Sequence, residues 1–156
     1  MLPIFEKKVV TLRKLLESQD FKRIGLKKLL SGHYALVLKL NGKPASFILD
    51  TGASASCIGF ERIDRFGLIA TNTDMKATGA GASMLETHLA HDVRLELTNT
   101  LATTNDMVLF DLSHVNGALK EVGENEVDGI LGGEILKHFR SVIDYGRNAL
   151  YVKKSS

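Results

Sequence analysis

From position 34 the hydrophobic residues settle into a period of two. Tyr34, Leu36, Leu38 and Leu40 alternate with Ala35, Val37 and Lys39, the spacing of a strand with one face inward. Asn41-Gly42 follows, a pair that tolerates positive φ at both central places of a two-residue hairpin turn. Pro44 then leads into Phe47-Ile48-Leu49, so the pattern predicts a hairpin whose return strand ends on Asp50.

Upstream the period changes. Phe5, Val9, Leu12 and Leu16 recur at helical steps with Lys and Glu between them, which predicts an amphipathic helix over 4–19. Gly25 and Gly32 interrupt the next stretch, placing a boundary near 20–32. The expected organisation is a basic helical arm over 1–32 and one domain over 33–156. Downstream the pattern predicts a short helix at 59–66 closed by Gly67 and a hairpin over 75–98 with the glycine-rich GAGAS (79–83) at its tip. A buried strand comes next at Met107–Phe110, then a short helix at 114–121, a helical GEILKHF (133–139), and final strands at 141–145 and 149–154. Many short strands with few short helices predict a mainly β fold, closed or sandwiched.

Composition narrows the function classes. At 44% hydrophobic and 24% charged, the chain can bury a globular core. Its net charge of +2 supplies no general pull toward nucleic acid, and a nucleic-acid partner is not expected. The first 28 residues carry eight Lys/Arg against three acids, and the rest carries twelve against fifteen, so the basic character sits in the arm. Cys57 is the only cysteine, which excludes an internal disulfide and a cysteine-based zinc site. No apolar run approaches a membrane span, and MLPIFEKKVV lacks the layout of a signal peptide. Membrane contact is not expected, and a cytoplasmic location is. His88 and His91, three apart on a strand, should face opposite sides and toward solvent rather than share a metal.

The chemistry concentrates in FILDTGASAS (47–56), where an apolar strand ends on a carboxylate among small residues. Taken alone, it could be an Asx turn, with the aspartate bonding the backbone two residues on. Asp50-Thr51-Gly52-Ala53, however, resembles the active-site signature of the aspartic proteases, and Ala53 with the short chain resembles their retroviral-type, retropepsin branch. Ile130-Leu131-Gly132 is similar to that family's second conserved block, and SVIDYGRNALYV (141–152) to the closing strands of its bacterial and cellular members. The resemblance covers about residues 33–153.

The resemblance implies a retropepsin-like closed β-barrel and an endopeptidase. Asp50 would be the acid, Thr51 would bond across to a facing loop, and Gly52 would allow the tight turn. Ala53, Ser54, Ile130 and Leu131 would border the substrate, with Gly79, Ala80, Gly81 and Ala82 as the tip of a flap. One signature per chain implies a homodimer acting on a polypeptide, with no metal and no organic cofactor. Two other readings stand beside it. SVIDYG aligns with FILDTG, so Asp144 could in principle supply a second acid within one subunit, although Tyr145 replaces the threonine. The same fold could also serve as a non-catalytic dimerisation or peptide-binding module. One departure bears on the resemblance: many viral members pair an acid after the signature with an arginine after the second-block glycine, and the matching positions here are Ser54 and Gly133.

Overall fold

A computed structural model describes residues 10–77 and 85–154, with backbone alone at 73–77 and 85–87. The predicted flap tip at 79–83 lies outside the described residues, as does the first part of the predicted helix.

The predicted hairpin is β3 (Tyr34–Leu40) and β4 (Lys43–Leu49), in register from Tyr34↔Leu49 to Leu40↔Lys43. Asn41 and Gly42 take the positive φ that their turn requires, 47° and 80°. A 3-10 turn at Phe60–Arg62 runs into α2 (Ile63–Phe66), which ends on Gly67 in the left-handed region at φ 61°. The second hairpin is β6 (Ile69–Ala77) and β7 (Leu85–Glu96), β6 beginning six residues before the predicted start. Then come β8 (Ala102–Phe110), α3 (Ser113–Glu121), β9 (Gly129–Leu131), α4 (Gly133–His138), β10 (Val142–Asp144) and β11 (Ala149–Val152).

Within the predicted arm, only Leu12–Ser18 (α1) is helical among the described residues. Lys22–Gly25 (β1) and Lys27–Lys28 (β2) are strands, pairing with β11 and β3. β5 (Cys57–Gly59) is a further strand that the hydrophobic pattern does not announce.

Six strands close a barrel in the order β3, β4, β9, β5, β8, β7, with β7 meeting β3 again at Lys39↔Glu96 and Leu40↔Leu95. Leu40, Phe47, Ile58, Leu95, Leu109 and Leu131 fill it and are at most 1% exposed, each contributing about 1.5–3 kcal/mol by leaving water. Asn41 closes the seam. Its backbone N–H donates to the Arg94 carbonyl (2.8 Å), its Oδ1 accepts from the Arg94 N–H (2.9 Å), and its Nδ2 donates to the Phe66 carbonyl (3.0 Å). Outside the barrel, α3 covers β3 and β4 through Leu119, Val127, Ala35 and Ile48. A separate three-stranded sheet, β1-β11-β10, packs against α1 through Leu16, Phe21 and Tyr151. No helix among the described residues is long and apolar enough to cross a membrane.

Candidate active site

β9 lies between β4 and β5, parallel to the first (Leu49↔Leu131) and antiparallel to the second (Cys57↔Ile130). The 50–56 loop therefore leaves β4, passes over the end of β9 and returns as β5. Three strands anchor one loop, and Asp50 stands at its start. The Asp50 N–H donates to the Leu131 carbonyl at 3.0 Å, so the acid's backbone hangs from β9.

The side chain of Asp50 is exposed. Its Oδ1 accepts the Gly52 N–H at 2.8 Å, and the Ala53 N–H turns back to the Asp50 carbonyl at 3.3 Å. This is the Asx turn that the sequence allows, and it holds the carboxylate in a fixed orientation. A Cβ on Gly52 would sit 3.2 Å from Oδ1, tight against the acid it positions.

The loop is bonded across to the turn after β9. The Gly133 N–H donates to the Ala53 carbonyl (2.7 Å), and the Gly132 N–H to Ser56 Oγ (2.8 Å). The Ser56 N–H reaches Glu134 Oε1 (2.7 Å). Gly132 must be glycine: a Cβ there would lie 2.8 Å from the Ala55 carbonyl carbon and 2.9 Å from the Ala53 oxygen. The hydrophobic pattern and the signature do not reveal the Ser56–Glu134 contact. Its faint signal in the sequence is an acid in the first turn of a helix directly after the glycine pair.

Asp50, Thr51, Gly52, Ala53 and Ser54 lie together on the loop, Thr51 and Ser54 exposed and Ala53 half-buried. Ile130 is half-buried on β9, whereas Leu131 is fully buried with its side chain in the barrel core. Gly79 to Ala82 fall outside the described residues. Thr51 borders a shallow pocket with Leu136, Lys137, Arg140 and Ile143.

Asp144 is committed elsewhere. It belongs to β10 in the separate sheet, and its side chain, 9% exposed, accepts the Arg147 N–H at 3.2 Å and lies 3.5 Å from the Arg147 guanidinium. It caps the turn at Tyr145–Arg147. Cys57 is buried, and burial pushes its thiol up to about 11 despite a hydrogen bond from the Ile130 backbone, so at neutral pH it is no nucleophile. His91 bridges Thr71 Oγ1 (2.7 Å) and Asp106 Oδ2 (3.1 Å) on the outer surface. His88, expected to face solvent, instead packs edge-on against Phe60 at 4.9 Å with its Nδ1 buried. Asp92 at φ 51° and a register shift between Ala90 and Val93 interrupt the regular alternation of β7 after His91.

A family model described as aspartyl protease matches residues 36–135. No curated protein matches the chain. Among solved structures, a retropepsin-like aspartic protease from Rickettsia conorii superposes with a TM-score of 0.53 at 16% identity, covering 86% of this chain and 90% of its own. The EIAV protease complexed with the inhibitor HBY-793 gives 0.49 at 19% identity, over 74% and 95% of the two chains. The retroviral protease-like domain of Ddi1 from Leishmania major gives 0.49 at 16%, over 78% and 93%. The Rickettsia structure supports the barrel fold.

Proposed function

The chain belongs to the aspartyl protease family, and from that premise we propose an endopeptidase whose acid pair is Asp50 from each of two identical subunits. The observation that carries this reading is the exposed Asp50 on a loop anchored by three strands, while Asp144 is engaged as a turn cap. A two-fold axis at the loop would bring each Asp50 to its copy.

Two carboxylates ~3 Å apart cannot both ionise, so the pair holds one proton. The ionised partner takes a proton from a water lying between them as that water attacks the peptide carbonyl. The protonated partner donates to the carbonyl oxygen, and the resulting intermediate collapses with proton transfer to the leaving amine. Thr51 would bond to the facing loop. Ala53 and Ser54 leave room beside the acid for an extended substrate, and such a strand-like polypeptide would pair with the walls of the cleft.

The test is cleavage of an unfolded protein or a mixed peptide pool, with and without pepstatin, read beside the molecular mass in solution. Asp50→Asn should retain fold and dimer and lose turnover. Specific activity should fall on dilution as the dimer dissociates. Turnover by Asp50→Asn at the wild-type rate, or full activity from a monomer, would remove the proposal.

A further inference from the structure

Two residues beyond the signature tie the Asp50 loop to the turn behind it. Ser56 is 2% exposed and works in both directions: its Oγ accepts the Gly132 N–H, and its own N–H donates to Glu134 Oε1. With the bond from Gly133 to Ala53, three hydrogen bonds join residues 53–56 to 132–134, and two of them pass through Ser56.

The placement answers the departure from the viral pattern. Ser54 and Gly133 stand where many viral members carry an acid and an arginine, and neither can make that ion pair. The contact observed here lies two residues along the first segment and one along the second. It also exchanges the direction of charge, since a carboxylate on the α4 side now grips a backbone N–H on the loop side. A carboxylate–amide bond is roughly twice as strong as a neutral one, and Glu134 in the first turn of α4 sits where the helix favours negative charge.

We infer that Glu134 and Ser56 are positioning residues that set the height and tilt of the Asp50 loop over β9. Ser56 is buried, and the Glu134 carboxylate is turned to the Ser56 N–H. They act by holding Asp50 where its copy must meet it, and this inference rests on the proteolytic function proposed above. A catalytic group displaced by about 1 Å loses on the order of 100-fold in rate.

Two measurements test the inference, one needing no activity. In steady-state cleavage, Glu134→Ala should lower kcat by about 10- to 100-fold with KM little changed. Glu134→Gln, whose amide oxygen can still accept from Ser56, should recover most of the loss. In amide hydrogen exchange on the intact protein, Glu134→Ala should speed exchange at Ser56 and Gly132 and leave β11 unchanged, and Glu134→Gln should restore protection. Wild-type kcat and unaltered Ser56 exchange in Glu134→Ala would overturn the inference. So would accelerated exchange throughout the barrel, or a Gln variant that folds normally but rescues nothing. If the wild type cleaves no substrate while Ser56 exchange responds as described, the protease reading falls and the clamp remains.

Discussion

The position that a Cβ would take on Gly132 lies 2.9 Å from the carbonyl oxygen of Ala53. The atoms it would meet, on Ala53 and Ala55, are all backbone and cannot swing away as a flexible side chain would. Gly132→Ala is therefore expected to cost about 1–3 kcal/mol of stability and to push the Asp50 loop off β9. Gly133→Ala, with its nearest atom at 3.4 Å, should be much milder. Urea denaturation of the two variants side by side makes the comparison. Equal costs would show that the approach to Ala53 is not what excludes a side chain at 132.

Asn41 offers a test in which turn preference and tertiary bonding disagree. Glycine suits its φ of 47°, so turn chemistry alone predicts that Asn41→Gly is harmless. The side chain, however, makes the two seam bonds to Phe66 and Arg94. Losing both should cost about 1–3 kcal/mol, with Asn41→Asp between wild type and glycine because it keeps only the acceptor. A glycine variant with an unchanged unfolding midpoint would show that the seam holds without the asparagine.

Asp128 is 4% exposed and accepts the Ser46 N–H at 2.8 Å. Arg65 Nη1 lies 2.9 Å from its Oδ1 and Arg62 Nε 3.1 Å from the same oxygen. Removing the acid strands Arg62, whose side chain is 16% exposed, although Glu126 still holds one of its amino groups at 2.8 Å. Asp128→Ala should cost about 3 kcal/mol, the low end for breaking a buried pair, because Arg65 is half-exposed and can turn to water. Chemical denaturation measures it. A loss below about 1 kcal/mol, the range of surface pairs, would count against the acid as the centre of this cluster.

Cys57 gives the fold a dependence on alkaline pH. Its folded thiol titrates at about 11 against an ordinary value of 9.0, chiefly through burial. The folded state therefore keeps a proton that the unfolded state releases. The stabilisation is complete below about 9 and is lost as pH rises through about 11, to a limit of about 3 kcal/mol. Cys57→Ala should show a shallower decline over that window than wild type, with the difference between them isolating the thiol from the lysines and tyrosines. Thiol reagents at pH 8 should modify the native protein far more slowly than the unfolded chain. Parallel alkaline profiles for the two proteins would contradict this account.

What the sequence made legible was whatever short-range chemistry encodes. Alternation in 34–40, the Asn41-Gly42 turn, the Gly67 cap and the glycine after β9 each announce themselves within a few residues. The strands β1 and β2 do not, because KRIG and KK are lysine-rich, mostly exposed, and defined by partners far along the chain. Three-residue β5 is too short to show a period. The site divides in the same way. The Asp50 turn is local and readable, whereas the ties from Ser56 to Gly132 and Glu134 join segments separated by nearly half the chain. The Arg65–Asp128 contact, spanning 63 residues, is hidden for the same reason.

The pairing of β1 with β11 has a consequence for how the molecule is made. Lys22–Gly25 is made before the barrel strands, yet its hydrogen-bonding partner, Ala149–Val152, is translated only after them. Until then Leu16 and Phe21 lack the cover that Ala149 and Tyr151 supply, and one strand edge waits unsatisfied. Up to that point the flank beside α1 is apolar and open, a natural handle for chaperones and for premature aggregation.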